Sequence, residues 1–330
     1  MGVGLVRKGA TGSVSHSQAT PTLLILITPP ALRDTYGATF SFIEQGQLTL
    51  VMSGSTPTTP AAGSLTFFSK SRAGKMIPSV IDPSGVDFNL QSALHGTTTF
   101  RFMANNNNTY FFWGNSWTSR LASGTETFPG KSSTNAMLSM NRVLYATANS
   151  ANTSGGIQST ATVVWRGNAT GLGGFLFFSR FGLQAIGASN RLRVLVGLSD
   201  LNGTMTQDPS TYLLAAINGG SQVIGLIKDA GDTNLQFYIG NGTTQTKQDT
   251  GVSPTVNQIL DLYIHAIPNG TNIMFQLNES VSGSTLASAT LSTGIPANTQ
   301  FLYAHAHVGT SAASAVQSLS VNQIYVETDL

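Results

Sequence analysis

Cysteine is absent from all 330 residues. That excludes a disulfide-stapled secreted domain, a thiolate zinc site and a cysteine nucleophile. Folding in a reducing cytoplasm fits, as does a later life outside the cell. Charge is also scarce. Lys, Arg, Asp and Glu make up 9% of the chain, against about 25% in an ordinary globular protein. The net charge is +2 and no basic run occurs, which argues against a nucleic-acid partner. Long apolar runs are missing too. The longest early one, Leu23–Ile27, is closed by Pro29 and Pro30. It is far below the about 20 residues that span a bilayer and the roughly 7 to 15 of a signal-peptide core. Neither membrane insertion nor a secretory leader is expected.

Signatures of catalysis are lacking as well. There is no GxSxG elbow, HExxH or phosphate loop. A paired-carboxylate site would need acids brought together. Here they are few and stand in turn-like contexts: Asp82, Asp87, Asp200, Asp208, Asp229, Asp232 and Asp249. Asp229 and Asp232 flank a glycine turn, where Asp caps its own backbone. Calcium ligation is the sharper reading of that pair, but it takes six to eight oxygens. No residue is assigned a catalytic, cofactor-binding or metal-binding role, and no cofactor is expected.

What fills the chain is Ser, Thr, Asn, Gln and Gly beside a 41% hydrophobic fraction. Ser, Thr and Asn compete for backbone hydrogen bonds and Gly is costly in helices, whereas Thr, Val, Phe and Tyr fit a pleated sheet. The fold class expected is all-β. Residues 1–53 form an extended N-terminal segment with strands near 22–28 and 46–52. Pro57 and Pro60 among small residues mark a boundary. Residues 54–130 read as a small β connecting domain, with one helical turn near 88–94. Its clearest hairpin is 97–117, turning at Asn105–Asn108. Residues 131–330 read as a β-sandwich of many short strands, among them 140–147, 160–166, 173–182, 191–198, 299–308 and 317–328. In the last strand Leu319 and Val321 fall out of step with Ile324 and Val326, which predicts a β-bulge near Asn322.

The chain has three tryptophans. Aromatic faces suit sugar C–H surfaces, but Trp113 and Trp117 are read first as core or interface residues. Trp165, in an apolar stretch, is expected in the core.

VVWRGNATGLGGFLFFSRFG (163–182), RLRVLVGL (191–198), DAGDTNLQFYIGNGT (229–243) and the closing FLYAHAHVGT and VNQIYVETD (301–329) are similar to segments of bacteriophage tail-fibre and tail-tip proteins. AAGSLTFFSKSRAGKMIPSVIDPSGVDFNLQSAL (61–94) resembles the connecting module that precedes such a domain. The resemblance covers roughly residues 60–330 and implies an architecture: a homotrimer whose C-terminal domain is a concanavalin-like jelly roll, carried on the virion. It also implies a host-attachment role, with a host surface glycan or protein as partner and residues 1–53 joining other tail or adaptor proteins. A head fibre or capsid decoration protein is the alternative, and a tail-borne polysaccharide depolymerase the second. Receptor-binding residues do not carry over. In such a trimer His305 and His307, at i and i+2, have two readings. Six imidazoles could meet around a metal on the axis, or the pair could belong to a partly buried aromatic face with Phe301 and Tyr303. No third ligand lies nearby in sequence, which favours the second.

Overall fold

The structure is a computed structural model. It describes residues 3–6, 13–17, 22–26, 41–44, 47–49, 57–83, 87–89, 98–105, 110–114, 116–162, 164–167, 173–214, 221–313 and 316–328. Contacts divide the chain into two units. The smaller comprises Met1–Arg72 and Met76–Ser92, the larger Ala73–Lys75 and Ala93–Leu330.

The smaller unit consists of antiparallel hairpins. β1 (Val3–Val6), β2 (Ser13–Ser17) and β3 (Thr22–Leu26) form one sheet, and β4 (Ser41–Glu44) pairs with β5 (Gln47–Thr49). β6 (Thr66–Arg72), β7 (Lys75–Ile81) and β8 (Asp87–Asn89) form a third sheet, β7 beginning at the turn Ala73–Lys75 that counts with the larger unit. The helical turn expected near 88–94 begins in strand β8, and its remainder lies outside the described residues.

The larger unit is a sandwich of two antiparallel sheets. Its strands are β9 (Thr98–Ala104), β10 (Tyr110–Trp113), β11 (Trp117–Ala122), β12 (Thr125–Thr127), β13 (Val143–Ala146), β14 (Thr153–Ser159), β15 (Phe175–Ile186) and β16 (Leu192–Ser199). β17 (Gln222–Lys228), β18 (Gln236–Asn241), β19 (Gln245–Asp249), β20 (Ile259–Ala266), β21 (Ile273–Glu279), β22 (Thr285–Leu291), β23 (Tyr303–Thr310) and β24 (Gln317–Thr328) complete it. The nine-stranded sheet runs β10-β9-β24-β15-β20-β21-β22, with β13 beside β24 and β12 beside β13. The seven-stranded sheet runs β11-β14-β23-β16-β17-β18-β19. The chain passes from sheet to sheet at β14, β15 and β16, and the late strands β23 and β24 slot between earlier ones. This is jelly-roll winding, the fold class expected. Two short helices, α1 (Ala136–Ser139) and α2 (Pro209–Leu214), interrupt the strands. Among the described residues no helix is long and apolar enough to cross a membrane.

Alternation places one row of each strand between the sheets. Phe102, Phe177, Phe181, Ile264 and Phe275 of the nine-stranded sheet share a core with Ile157, Val194, Val196, Phe237 and Val308 of the other. Burying each such side chain contributes about 1.5–3 kcal/mol. The bulge falls where the phase slip put it. Arg180 pairs with Gln323 and Phe181 with Val321, so Asn322 is the extra residue, and its Nδ2 donates to Asn141 O at 2.7 Å. The slip lets Leu319, Val321, Ile324 and Val326 all reach the core.

The expected boundary at residue 130 does not coincide with the division of contacts. β9 pairs with β24 and β11 with β14, and Phe100, Phe102 and Trp117 are core residues of the sandwich. The hairpin 97–117 therefore supplies β9 and β10 at one side of the nine-stranded sheet and leads into β11, the edge of the other. Its register, Ala104 opposite Tyr110, fits a turn through the asparagines, although 106–109 lie outside the described residues.

Candidate functional site

The acidic side chains come first, because hydrolysis would need them. Asp261 receives a two-pronged contact from Arg180, Nε to Oδ1 at 2.7 Å and Nη2 to Oδ2 at 2.8 Å. Arg193 Nε lies 2.7 Å from Asp208 Oδ1, which also accepts from Ala230 N at 2.9 Å. Burial alone would raise Asp208, but these two donors outweigh it and hold the carboxyl below its usual range. Lys247 Nζ sits 2.6 Å from Asp229 Oδ2 and 2.7 Å from Asp232 Oδ1. An ammonium thus occupies the place where the calcium reading would put an ion. Lys75 pairs with Glu327 at 2.8 Å, and Glu126 accepts from Ser119 and Tyr145 at 2.7 and 2.8 Å. Each of these carboxylates is bound to a cation or a hydroxyl of the scaffold. Among the described residues no three His, Asp or Glu side chains gather as a metal site requires.

The second feature is the outward row of β23. Leu302, Ala304, Ala306 and Val308 face the core, so Phe301, Tyr303, His305 and His307 face away from it. Both histidines are nonetheless fully buried. A satellite cluster of Leu195, Leu201, Met205, Val223, Ile227 and Tyr238 lies on this side of the sheet, and the segment after β16 covers it. Leu201 N donates to Ser199 Oγ at 3.2 Å, and Gln158 Nε2 donates to Leu201 O at 3.2 Å.

His305 Nε2 lies 2.9 Å from Ser199 Oγ, and His305 Nδ1 lies 3.2 Å from His307 Nε2. A chain of contacts thus runs from Ser199 through His305 to His307, and His307 Nδ1 is buried without a partner. Burial, followed by the charge of Arg120, pushes His307 down to about 3. Burial and then the neighbouring ring hold His305 well below its ordinary value. The pair is neutral, hydrogen-bonded and enclosed within the larger unit, buried completely where the sequence reading put it on a partly buried aromatic face. Room for the His307 ring comes from Gly156, directly opposite, where a Cβ would lie 2.6 Å from the ring.

The third feature lies at the other end of the same row. The strand expected at 160–166 reduces to a single bridge, Val164 to Leu302, with N–O distances of 2.7 and 3.3 Å. Val164 and Leu302 point into the core, so their neighbours Trp165 and Phe301 are set side by side on the outside. Their rings stack at 5.2 Å with 13° between planes. Phe301 is 39% exposed and Trp165 half-buried. Trp165 is therefore not the core residue its apolar context suggested. Its strand ends at once, since Gly167 turns the chain at φ +81°. Trp117 is buried, 5.6 Å from Phe102. The side chain of Trp113 lies outside the described residues.

Loops from three places hold the aromatic pair. Arg166 Nε donates to Pro296 O at 3.0 Å and its Nη1 to Gly270 O. Asn269 N donates to Arg166 O at 2.8 Å, and Asn298 Nδ2 to Asn269 Oδ1 at 3.0 Å. Gln222 Nε2 donates to Gln300 Oε1 at 3.0 Å, while Gln222 Oε1 accepts from Ala297 N at 2.7 Å. A separate cleft of about 210 Å³ in the larger unit is lined by Gly173, Gly174, His265, Lys75 and Glu327 among others. Its two charges neutralise each other.

No family model and no curated protein matches the chain. Among solved structures it is similar to a protein of unknown function from Shewanella oneidensis MR-1, at 12% identity and a TM-score of 0.49, over 73% of this chain and 90% of that one. It is also similar to lectin II from Ulex europaeus, at 13% identity and 0.46, over 70% and 98%. Peanut lectin, solved with a nine-residue peptide, gives 9% and 0.46, over 71% and 98%. At these identities and scores the likeness carries no argument about function.

Proposed function

We propose that this chain is a structural protein of a bacteriophage virion, a trimeric tail fibre that attaches the particle to the host cell surface without catalysing a reaction. The observation that carries the attachment reading is the fate of five carboxylates. Asp208, Asp229, Asp232, Asp261 and Glu327 are each engaged by a lysine or arginine of the scaffold. Acid chemistry on a glycan needs a carboxyl free to donate or accept a proton at substrate. These are committed to holding strands and loops together. The segments that resemble tail-fibre proteins support the virion part. They include β15, β16, β18, β23 and β24, inner strands of the two sheets, so most of the likeness lies in the scaffold. Three copies per fibre raise avidity for a weak surface ligand without new contacts.

The test is location and mass. Gold-labelled antibody against the purified protein should decorate the tails of particles from the source phage, and light scattering should give three times 34.6 kDa. Labelling of heads would replace the tail fibre with a head fibre or decoration protein. Particles that carry no label at all would end the virion reading. Release of oligosaccharides from host envelope glycans would replace attachment with depolymerase activity.

A further inference from the structure

We propose that the stacked pair Trp165–Phe301 and the three loops around it form a binding platform for the pyranose rings of a neutral carbohydrate. The proposal rests on the attachment reading above and names the ligand class and the place. A sugar ring offers an apolar C–H patch on one side and hydroxyls around its rim. A site for it needs an aromatic surface fixed in advance, with amides and hydroxyls beside it.

Both requirements are met. Phe301 offers part of its surface to solvent at 39% exposure and is backed by Trp165 at 5.2 Å. The ring pair is preorganised by the Val164–Leu302 bridge, so binding spends little on ordering side chains. Beside it stand Asn269 and Asn298, whose amide groups contact each other through one atom apiece. Asn269 Nδ2 can donate and Asn298 Oδ1 can accept, the two roles a hydroxyl needs.

Charge decides which carbohydrate. Of the described residues in these loops, 164–167, 173–174, 267–272 and 296–303, one carries an ionic side chain, Arg166. Its guanidinium is taken by the carbonyls of Pro296 and Gly270. A sialylated, uronic or phosphorylated ligand would find no cation waiting to receive it, whereas a neutral hexose polymer gives up nothing on entry.

The experiment is affinity electrophoresis of the full chain through gels containing dextran, galactan or mannan, with hyaluronan as the anionic comparison. The intact protein should be retarded by at least one neutral polymer and not by hyaluronan. Phe301→Ala should weaken that retardation about tenfold or more, as expected for an aromatic anchor. Phe301→Leu, which keeps apolar bulk on Trp165 and removes the ring, should fold and still lose retardation. Asn298→Ala should show a smaller loss. No retardation by any neutral polymer, preferred binding of hyaluronan, or undiminished binding by Phe301→Leu would each overturn the platform. The virion reading stands or falls separately on where the antibody labels the particle.

Discussion

His305 and His307 show how a single residue pair couples this sheet to pH. Both are held neutral in the folded chain, His307 down to about 3, while the unfolded chain takes up protons near the ordinary value of about 6.5. Between those values the unfolded state binds more protons, so stability falls as pH drops through that range. From pH 7 to pH 5 the loss is about 2 kcal/mol for His307 alone. Urea midpoints at the two pH values measure it, and the ring-proton shifts of both histidines should stay flat over the same interval. A ring that titrates near 6.5 in the folded protein would remove this account. Asp208 and Glu279 sit below their usual range and add their own losses only under more acid conditions, so the upper part of the window belongs to histidine. His265 is lowered as well, chiefly by burial, and steepens the same slope. Gly156→Ala tests the packing instead. A Cβ there meets the His307 ring at 2.6 Å and Ala306 O at 2.5 Å, and relieving that crowding should destabilise the fold by about 1–3 kcal/mol, read from the same midpoints at pH 7.

At the scale of elements, β24 depends on one extra residue. Deleting Asn322 would remove the bulge and turn either Leu319 and Val321 or Ile324 and Val326 out of the core, since a one-residue slip exchanges the faces of a strand. The variant should fail to give soluble folded protein, while Asn322→Ala, which keeps the spacing and loses only the bond to Asn141 O, should fold. That bulge was legible because it left a trace in the apolar phase. The aromatic and aliphatic strands β15, β16 and β23 were legible for the same reason. β14 was not. TSGGIQS reads as turn, yet every one of its residues is buried. Its Gly156 leaves space for His307 and its Ile157 alone supplies a core side chain, so no alternation announces it. Trp165 was misread because an apolar neighbourhood carries no sign of where a strand stops. The ion pairs were hidden by distance along the chain, Arg180 finding Asp261 and Lys75 finding Glu327 only after folding.

At the scale of the larger unit, two sheets over one core give a stiff body. A stiff body predicts cooperative unfolding of the larger unit, so tryptophan fluorescence, all of it from that unit, and far-ultraviolet dichroism should report the same transition. Separate transitions would mean that the edge strands β9–β11 melt apart from the sandwich. The order of strands has one more consequence. β23 lies between β14 and β16, and β24 joins β15 to β9 and β13. On the ribosome neither sheet can close until the last of these strands has emerged. Every unfinished copy therefore holds apolar surface of both sheets open while the chain is still being made, the state in which chains are prone to aggregate.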